Sequence, residues 1–278
     1  MNRTNPVPRP LSLVPCPLSL MAVVVKKHLP SGTIILSRPE KRNALTRQMI
    51  ADLIQAFGDL HGERQVRAVI LTGAGSAFCA GMDLAEMRET SQQPDALWQW
   101  HDDAVLYREL IDKMLQFPKP IIAAVNGPAL AGGAGLLLAS DIVIASPEAK
   151  FGLPEPRRGI VAGIVSPLLV FRIGGSHAAN LLLTARMIEA AEAQRVGLYH
   201  EIVKSDFGWA RAQELAGEIA KSAPEALQLT KRMLNETIGE HLGTQLSSGA
   251  AVSATARTTE AAAEGLAAFM EKREPKWL

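Results

Sequence analysis

The segment between residues 121 and 139 constrains this chain most, because it combines a short strand, a turn and a helix. Ile121–Val125 is apolar, rich in β-branched residues and too short for a helix, which predicts a buried strand. Turn residues at 126–128 end that strand, and the glycine-rich residues 131–135 lead into an apolar helix over 132–139. Such a turn leaves backbone N–H groups free to bind a ligand, and its glycines let the ligand approach the main chain closely.

One acid follows this segment at a distinctive place. Glu155 stands directly after the proline turn at Pro154. Backbone donors and a nearby carboxylate are together sufficient to polarise a carbonyl and to move a proton. Considered alone, Glu155 could equally be a surface acid paired with Arg157 or Arg158, so the surrounding sequence has to decide.

Four segments of the chain, taken in order, resemble the crotonase (enoyl-CoA hydratase/isomerase) superfamily. A single glycine pattern would be a weak signal, whereas four blocks in family order are specific, and they extend over nearly everything after residue 21. The segments are SRPEKRNAL (37–45), GAGSAFCAGMDLAEM (73–87), VNGPALAGGAGLLLASDI with AKFGLPEPRRGI (125–142 and 149–160), and EGLAAFMEKREPKW (264–277).

The resemblance implies an α/β fold, a crotonase-like spiral of repeated ββα units over residues 21–205. Each turn of that spiral adds a strand to two stacked sheets. Residues 206–278 are expected to form a helical C-terminal region for oligomerisation, since such helices build trimers in this family, usually paired into hexamers. Residues 1–20 contain five prolines and no acid, and are expected to be a disordered extension.

The periodicity of apolar residues predicts the individual helices and strands of this fold. Two short β-rich runs at 22–27 and 33–37 predict a hairpin. An amphipathic helix with Thr46 as its N-cap is predicted over 46–60. Further predicted elements are a mostly helical region over 81–115 and strands over 66–72, 142–145 and 149–152. From about residue 174 the pattern is helical, with segments at 176–184, 189–196, 207–221, 225–238 and 243–270.

Composition excludes several other classes of protein. The 278 residues carry a net charge of +1, which gives no electrostatic case for binding nucleic acid or an anionic membrane. No apolar run is as long as a membrane span. Two cysteines and six scattered histidines have no metal-ligand spacing, so no metal is expected, and a cytoplasmic location is favoured. The resemblance implies no resident cofactor, because the coenzyme A thioester is the substrate. Nucleophile-elbow and phosphate-loop motifs are absent from the sequence.

The resemblance also implies roles for individual residues. The N–H groups of Ala80 and Gly132 would form an oxyanion hole, in which each donor is worth about 10²–10³ in rate. Glu155 would be the acid or base, with a pKa raised by a water-poor pocket. The acyl-CoA thioester is the expected substrate, and its expected contacts are Lys41, Arg42, Ala44, Gly81, Met82, Asp83 and Lys272.

Two departures from the family pattern leave the reaction open. Gly135 stands where the classical hydratases carry a first glutamate, and Gly163 stands where dienoyl-CoA isomerases and aryl-CoA dehalogenases place an aspartate. A single-glutamate 2-enoyl-CoA hydratase is the first choice, and a 3,2-enoyl-CoA isomerase is the alternative. An inactive CoA-binding or scaffolding protein is the third possibility.

Three further residues attract attention in the sequence. Cys79 is expected to be a small buried residue rather than a nucleophile, because no base stands near it in the sequence. His101 and Tyr107 fall in the region expected to cover the acyl chain, where a side chain can contact the substrate or simply pack.

Overall fold

The computed structural model describes residues 21–237 and 241–276. In chain order the strands are β1 (Val23–His28), β2 (Ser31–Leu36), β3 (Ala68–Gly73), β4 (Ile121–Val125), β5 (Ala129–Leu130), β6 (Ile142–Ala145), β7 (Lys150–Gly152), β8 (Met187–Glu189) and β9 (Glu201–Ile202). The helices are α1 (Arg47–Gly62), α2 (Leu84–Ser91), α3 (Ala96–Gln116), α4 (Gly132–Leu138), α5 (Val165–Thr184), α6 (Ala190–Arg195), α7 (Gly208–Ile219), α8 (Pro224–Arg232), α9 (Leu242–Ala256) and α10 (Glu260–Glu271).

The strands form two sheets, and the chain alternates between them. Six strands pair in the order β1-β2-β3-β4-β6-β9, in which β1 and β2 are antiparallel and every later pair is parallel. The smaller sheet has the order β5-β7-β8. Because β4 and β6 lie in one sheet while β5 and β7 lie in the other, successive turns of the chain wind as the predicted spiral α/β fold.

Burial on both faces explains why the central strands are continuously apolar. In β3, Val69 and Leu71 belong to the main core, whereas Ala68 and Ile70 pack on the opposite face with Ala212 of α7. Side chains alternate between the faces of a strand, so a strand covered on both sides needs apolar residues at every position. The sheet is therefore a rigid support for the turns at its edge.

Most of the predicted elements are confirmed, including the N-cap of α1. The Thr46 hydroxyl accepts a hydrogen bond from the Met49 N–H at 3.2 Å. The late chain differs from the prediction in two ways. Helix α5 begins at Val165 and is broken at Gly174, where φ is +74°, so its second half matches the predicted segment 176–184 and its first half was not predicted. The short strands β8 and β9 interrupt the predicted helical run.

The predicted helix over 243–270 is wrong, because two helices occupy that range. Helix α9 ends before Arg257, and α10 begins after Thr259, whose hydroxyl accepts a hydrogen bond from the Ala262 N–H at 3.2 Å. A threonine in extended conformation caps a new helix instead of continuing the old one. The predicted disorder of residues 1–20 lies outside the described residues.

Candidate active site

The two glycine turns of the sequence lie side by side in the fold. The Leu130 N–H donates to the Cys79 carbonyl at 2.9 Å and so joins the first turn to the second. Gly81 has a φ of +95°, and a Cβ there would lie 2.6 Å from the Ala131 Cβ and 3.2 Å from the Gly132 nitrogen. Only glycine fits at this crossing, and it brings the two main chains within ligand-binding distance of each other.

Two backbone N–H groups at this crossing are left open. Among the described residues, neither the Gly132 N–H nor the Met82 N–H has a hydrogen-bond acceptor. The bonds on either side of Met82 orient it, since Leu45 donates to the Gly81 carbonyl and accepts from the Asp83 N–H, both at 2.8 Å. This parallel pairing directs the Met82 N–H away from Leu45.

The expected role of Ala80 has to be corrected. Its N–H donates to the Arg42 carbonyl at 3.0 Å and is therefore already bonded. The amide two residues later, that of Met82, is the open one. Sequence patterns cannot distinguish the two, because the difference depends on a tertiary hydrogen bond to a residue 38 positions away.

Ala131, directly before Gly132, holds an unusual backbone conformation. Its φ of +51° and ψ of −124° are sparsely populated by residues with a side chain, and such conformations cost on the order of 1–3 kcal/mol. The Ala131 N–H is fixed by the Gly152 carbonyl at 3.0 Å. The strained residue thus sets the direction of the open Gly132 N–H, as is typical of a functional turn.

Glu155 is a buried acid without a hydrogen-bond partner for one of its oxygens. It begins a short 3₁₀ helix, Glu155–Arg158, and only 6% of its surface is exposed. Its Oε2 has no partner among the described residues. Burial raises the pKa of Glu155 to about 7, and the nearby Arg158 cation opposes part of that rise. Near neutral pH the carboxyl can therefore both take up and give back a proton.

Glu155 and the two residues that carry the open amides, Met82 and Gly132, line one small cavity of about 60 Å³, which is enough for a bound water. Tyr107 also lines it. Its hydroxyl donates to the Gly132 carbonyl at 2.5 Å, on the same residue that carries one of the open N–H groups. Burial raises the pKa of Tyr107 well above its usual value, which keeps the phenol protonated and donating.

The structure explains why Gly135 and Gly163 carry no acid. A Cβ at Gly135 would lie 2.0 Å from the Tyr107 hydroxyl, so Tyr107 fills the space that a side chain at 135 would need. A Cβ at Gly163 would lie 2.1 Å from the Gly249 carbonyl, where α9 crosses the main chain. Neither position accepts a side chain without movement of its neighbours.

A larger cavity of about 630 Å³ adjoins the Glu155 cavity, and Ala80 and Arg158 line both. Cations dominate its charged lining, which contains no acid. These cations are Arg42, Lys150, Arg157, Arg158 and Arg273. Guanidinium and ammonium groups gathered around an open cavity are suited to a phosphate-bearing ligand.

Comparison with known proteins then decides the family. The sequence pattern of the family described as enoyl-CoA hydratase/isomerase matches residues 32–278. The chain belongs to the enoyl-CoA hydratase/isomerase family. The match covers both glycine turns, the Glu155 turn and the helices that follow.

Individual relatives agree over nearly the whole chain. A Thermus thermophilus protein, provisionally named an enoyl-CoA hydratase, is 42% identical over 257 residues, which are 92% of this chain and all of the relative. The short-chain-enoyl-CoA hydratase of Clostridium acetobutylicum is 32% identical over 259 residues, 92% of this chain and 97% of that protein. A crystal structure of an enoyl-CoA hydratase/isomerase from Xanthobacter autotrophicus superposes with a TM-score of 0.83 at 28% identity, covering 90% of this chain and 93% of that one.

Of the expected CoA-binding residues of this enoyl-CoA hydratase/isomerase family member, Arg42 lines the cationic cavity and Met82 lines the Glu155 cavity. Lys41 and Lys272 are exposed and line neither. Sequence reasoning missed Lys150, which lies on β7 beside the glycine turn. A basic residue within the AKFGLPEPRRGI block was the available signal.

Ala44 and Asp83 make local contacts in the described structure. The Ala44 carbonyl accepts from Arg38 Nη1 at 2.6 Å. The Asp83 carboxylate caps α2 by accepting from the Ala85 N–H at 3.0 Å, and it also pairs with Arg38 at 3.1 Å. Their contacts with CoA stay predictions, as does that of Gly81.

The remaining expectations concern Cys79 and His101. Cys79 is fully buried with its Sγ 3.1 Å from the Asn43 carbonyl, and burial raises the pKa of the thiol to about 12, so its expected packing role is confirmed. The His101 ring is 53% exposed, beside Asp102, and does not line the Glu155 cavity.

Two features are absent from the described residues. No helix among them is both long and apolar enough to cross a membrane. Within residues 21–237 and 241–276, no three histidine, cysteine or acidic side chains gather in a way that could hold a metal ion.

Proposed function

We propose that this chain adds water to 2-enoyl-CoA thioesters, with Glu155 as the single acid and base. The observation that carries the proposal is the shared cavity, which is lined by Glu155, with its unpartnered carboxyl oxygen, and by Met82 and Gly132, whose backbone N–H groups are open. The N–H groups of Met82 and Gly132 would accept the thioester oxygen. Negative charge develops on that oxygen during the reaction, and fixed donors in a site that excludes water stabilise it strongly.

The reaction would proceed through an enolate. The Glu155 carboxylate takes a proton from a water molecule while the water oxygen bonds to C3 of the enoyl group. The electron pair of the double bond moves to the thioester oxygen, held by the two N–H groups. The protonated Glu155 then returns its proton to C2, which gives the 3-hydroxyacyl-CoA and restores the carboxylate. A carboxyl with a pKa of about 7 is suited to both transfers.

A 3,2-enoyl-CoA isomerase is the second candidate, because the side chain at Gly135 that would help to hold water is absent. In that reaction Glu155 removes a proton from C2 and returns it to C4, and no water is used. An inactive CoA-binding or scaffolding protein is less well supported. It would gain nothing from a buried, unpartnered carboxyl, which costs free energy to maintain.

Two substrates distinguish these candidates. Crotonyl-CoA should lose its enoyl-thioester absorbance as water adds, and 3-hexenoyl-CoA should gain that absorbance only if the double bond moves. Replacing Glu155 by Gln should lower kcat by about 10²–10⁴ with little change in KM. The matched control is Glu218→Gln, a change of an exposed glutamate on α7 that should leave both constants unchanged. Wild-type turnover in Glu155→Gln would place the base elsewhere.

CoA would bind in the cationic cavity through its phosphates. Salt should therefore weaken the binding of CoA thioesters more than that of pantetheine thioesters, which lack the nucleotide. Equal affinity for the two would argue against this placement. No resident cofactor is part of the proposal, and a cytoplasmic location remains a prediction.

A trimer or hexamer is the proposed assembly. The C-terminal helical region leaves several large apolar side chains exposed, as expected of a surface that meets another copy of the chain. They are Leu229, Met233, Leu234, Val252, Phe269 and Met270. Light scattering should give the mass of three or six chains, and a stable monomer at micromolar concentration would contradict the assembly.

A further inference from the structure

Tyr107 is a buried phenol to which the proposed reaction assigns no part. It belongs to α3, lines the Glu155 cavity and has only 4% of its surface exposed. A Cβ at Gly135 would lie 2.0 Å from its hydroxyl oxygen. The chain thus has a neutral oxygen atom beside position 135, from which an acid is missing.

The hydroxyl of Tyr107 can only accept a further hydrogen bond. A phenol has one proton to donate and lone pairs with which to accept. The Tyr107 proton is already donated to the Gly132 carbonyl, at 2.5 Å. Burial raises the pKa of Tyr107 well above its usual value, and the charge of Glu155 acts in the same direction, so the proton stays on the phenol near neutral pH.

Helix α3 holds this acceptor in a fixed place. One turn before Tyr107, the two Asp103 oxygens accept from Arg47 Nε at 2.5 Å and from Arg47 Nη2 at 2.9 Å. This two-pronged pair joins α3 to the first residue of α1. In the turn after Tyr107, Leu110 and Ile111 are fully buried. A side chain ordered in advance loses little conformational entropy when it binds a ligand.

Few side chains of the Glu155 cavity could receive a proton from water. Among the described residues, three side chains that line it carry oxygen, those of Tyr107, Glu155 and Ser253. Ser253 belongs to α9, and its Cβ lies 3.2 Å from where a Cβ at Gly163 would be. Tyr107, by contrast, is bonded to Gly132, the residue whose N–H would hold the thioester oxygen. The phenol is therefore the neutral acceptor that is tied directly to the proposed oxyanion hole.

We propose that Tyr107 is the second acceptor for the water that adds to the enoyl group, in place of an acid at position 135. The inference rests on the proposed function, because it needs a nucleophilic water and a thioester held at Met82 and Gly132. One O–H of the water donates to Tyr107 Oη, and the other gives its proton to Glu155 while the water oxygen bonds to C3.

The phenol gains and loses no proton in this step. The hydrogen that the water donates to Tyr107 stays on the water oxygen and becomes the hydroxyl hydrogen of the 3-hydroxyacyl product. Two acceptors fix both O–H bonds of the water, which leaves a lone pair to attack C3. A double-bond shift needs no water, so this arrangement favours hydration over isomerisation.

Water addition and enolate formation can be measured separately. Hydration of the best 2-enoyl-CoA uses the water, whereas exchange of the C2 protons of the saturated acyl-CoA in D₂O uses Glu155 and the open N–H groups alone. Tyr107→Phe should lower kcat for hydration at least about tenfold, because misplacing a reacting group by about 1 Å costs up to about 10²-fold. The exchange rate should stay within about twofold of wild type, because the hydroxyl contributes only to the water step.

Two other variants calibrate these assays. Tyr199→Phe is the matched control, because it removes another buried phenol hydroxyl, 1% exposed, without a partner in the described structure and outside the Glu155 cavity. Both of its rates should equal those of the wild type. Glu155→Gln should lower hydration and exchange together, because both reactions need the carboxylate.

Three results would overturn the inference. The first is wild-type hydration by Tyr107→Phe. The second is an equal loss of hydration and exchange in Tyr107→Phe, which would mean that the phenol only supports the Gly132 turn. The third is a loss of hydration that is larger in Ser253→Ala than in Tyr107→Phe, which would make Ser253 the second acceptor.

A binding measurement replaces the exchange assay if wild-type exchange is too slow to follow. Acetoacetyl-CoA forms an enolate whose oxygen would bind the same two N–H groups without a nucleophilic water. Its Kd should be the same for Tyr107→Phe and the wild type. A loss of affinity as large as the loss of hydration would overturn the inference.

The wild-type protein separates this inference from the proposed function. If the wild type hydrates a 2-enoyl-CoA and Tyr107→Phe does so equally well, the role of Tyr107 is wrong and the proposed function stands. If the wild type only shifts the double bond of 3-hexenoyl-CoA, or converts neither class of substrate, hydration itself is wrong and the role of Tyr107 is overturned with it.

Discussion

Two buried charged sites in this protein are built in opposite ways. Lys231 and Asp141 form an ion pair at 2.7 Å, and the same Asp141 oxygen accepts from the Ile121 N–H at 2.7 Å. Lys231 Nζ also donates to the Met114 carbonyl at 3.1 Å. Glu155, by contrast, keeps an oxygen with no partner in the described structure.

The difference shows which buried charges hold the fold together and which are kept for a ligand. The Lys231–Asp141 pair joins α8 to the segment between α4 and β6, and its polar atoms are satisfied by protein groups. Glu155 is left incomplete by the protein, although burial penalises its charge. Removing a charge should therefore destabilise the fold at the first site and stabilise it at Glu155.

The largest expected effect on stability comes from Lys231→Met. Taking away one partner of a buried pair leaves the other charge uncompensated, and the free energy of unfolding should fall by about 3 kcal/mol. Urea unfolding monitored by circular dichroism would measure it, and kcat should stay close to wild type. The control is Lys221→Met, at a lysine 70% exposed, which should change stability by less than about 0.5 kcal/mol. A Lys231→Met variant as stable as wild type would remove the distinction between the two sites.

Glu155→Gln should raise the free energy of unfolding, and the size of this increase should depend on pH. The pKa of Glu155 is about 7 in the folded protein and 4.5 as its ordinary value. Between those values the folded state binds more protons than the unfolded state, so stability falls as pH rises and the cost is complete above pH 7. A shift of this size corresponds to about 3 kcal/mol, which is the upper limit of what Glu155→Gln can recover at pH 8. Below pH 4.5 the two proteins should be equally stable, whereas a destabilised variant at pH 8 would contradict the account.

A smaller effect on stability is expected from a substitution at Gly135, which lies against Tyr107. Gly135→Ala should cost about 1–3 kcal/mol, because its methyl group overlaps the Tyr107 hydroxyl. In a Tyr107→Phe background the hydroxyl is gone and the ring carbon lies 3.2 Å from the new Cβ, so the same change should cost less. A double-mutant cycle would give a coupling of about 1 kcal/mol. Additive effects would mean that Tyr107 does not occupy the space of the missing acid.

Local sequence was sufficient to predict the elements that border the site. Ile121–Val125 and Ile142–Ala145 begin and end where the sequence predicts, because turn residues on both sides of a short apolar run fix the two ends of the strand. The first half of α5 was not predicted; Pro167 lies in its first turn, where a proline loses no hydrogen bond. Strands of two or three residues, such as β8 and β9, are too short to show a period.

The chemistry of the site was predictable only in part. Glu155 and Gly132 follow from the family blocks, but the choice of Met82 over Ala80 depends on which N–H the Arg42 carbonyl occupies. That Tyr107 fills the space beside Gly135 depends on packing between a helix and a turn far apart in sequence. Tertiary contacts of this kind do not produce a periodic pattern in the sequence, so they could not be predicted from it.

The central claim is that Glu155 transfers the proton, and the pH dependence of kcat/KM tests it most directly. The measurement would follow the best 2-enoyl-CoA substrate from pH 5 to pH 9 in the wild type and in Glu155→Gln. Because the ionised carboxylate is the base, the wild-type value should fall about tenfold per unit below a midpoint near pH 7, where the pKa of Glu155 lies. The variant should be slower and lack that midpoint. A wild-type profile that is flat across this range, or the same midpoint in Glu155→Gln, would contradict the account.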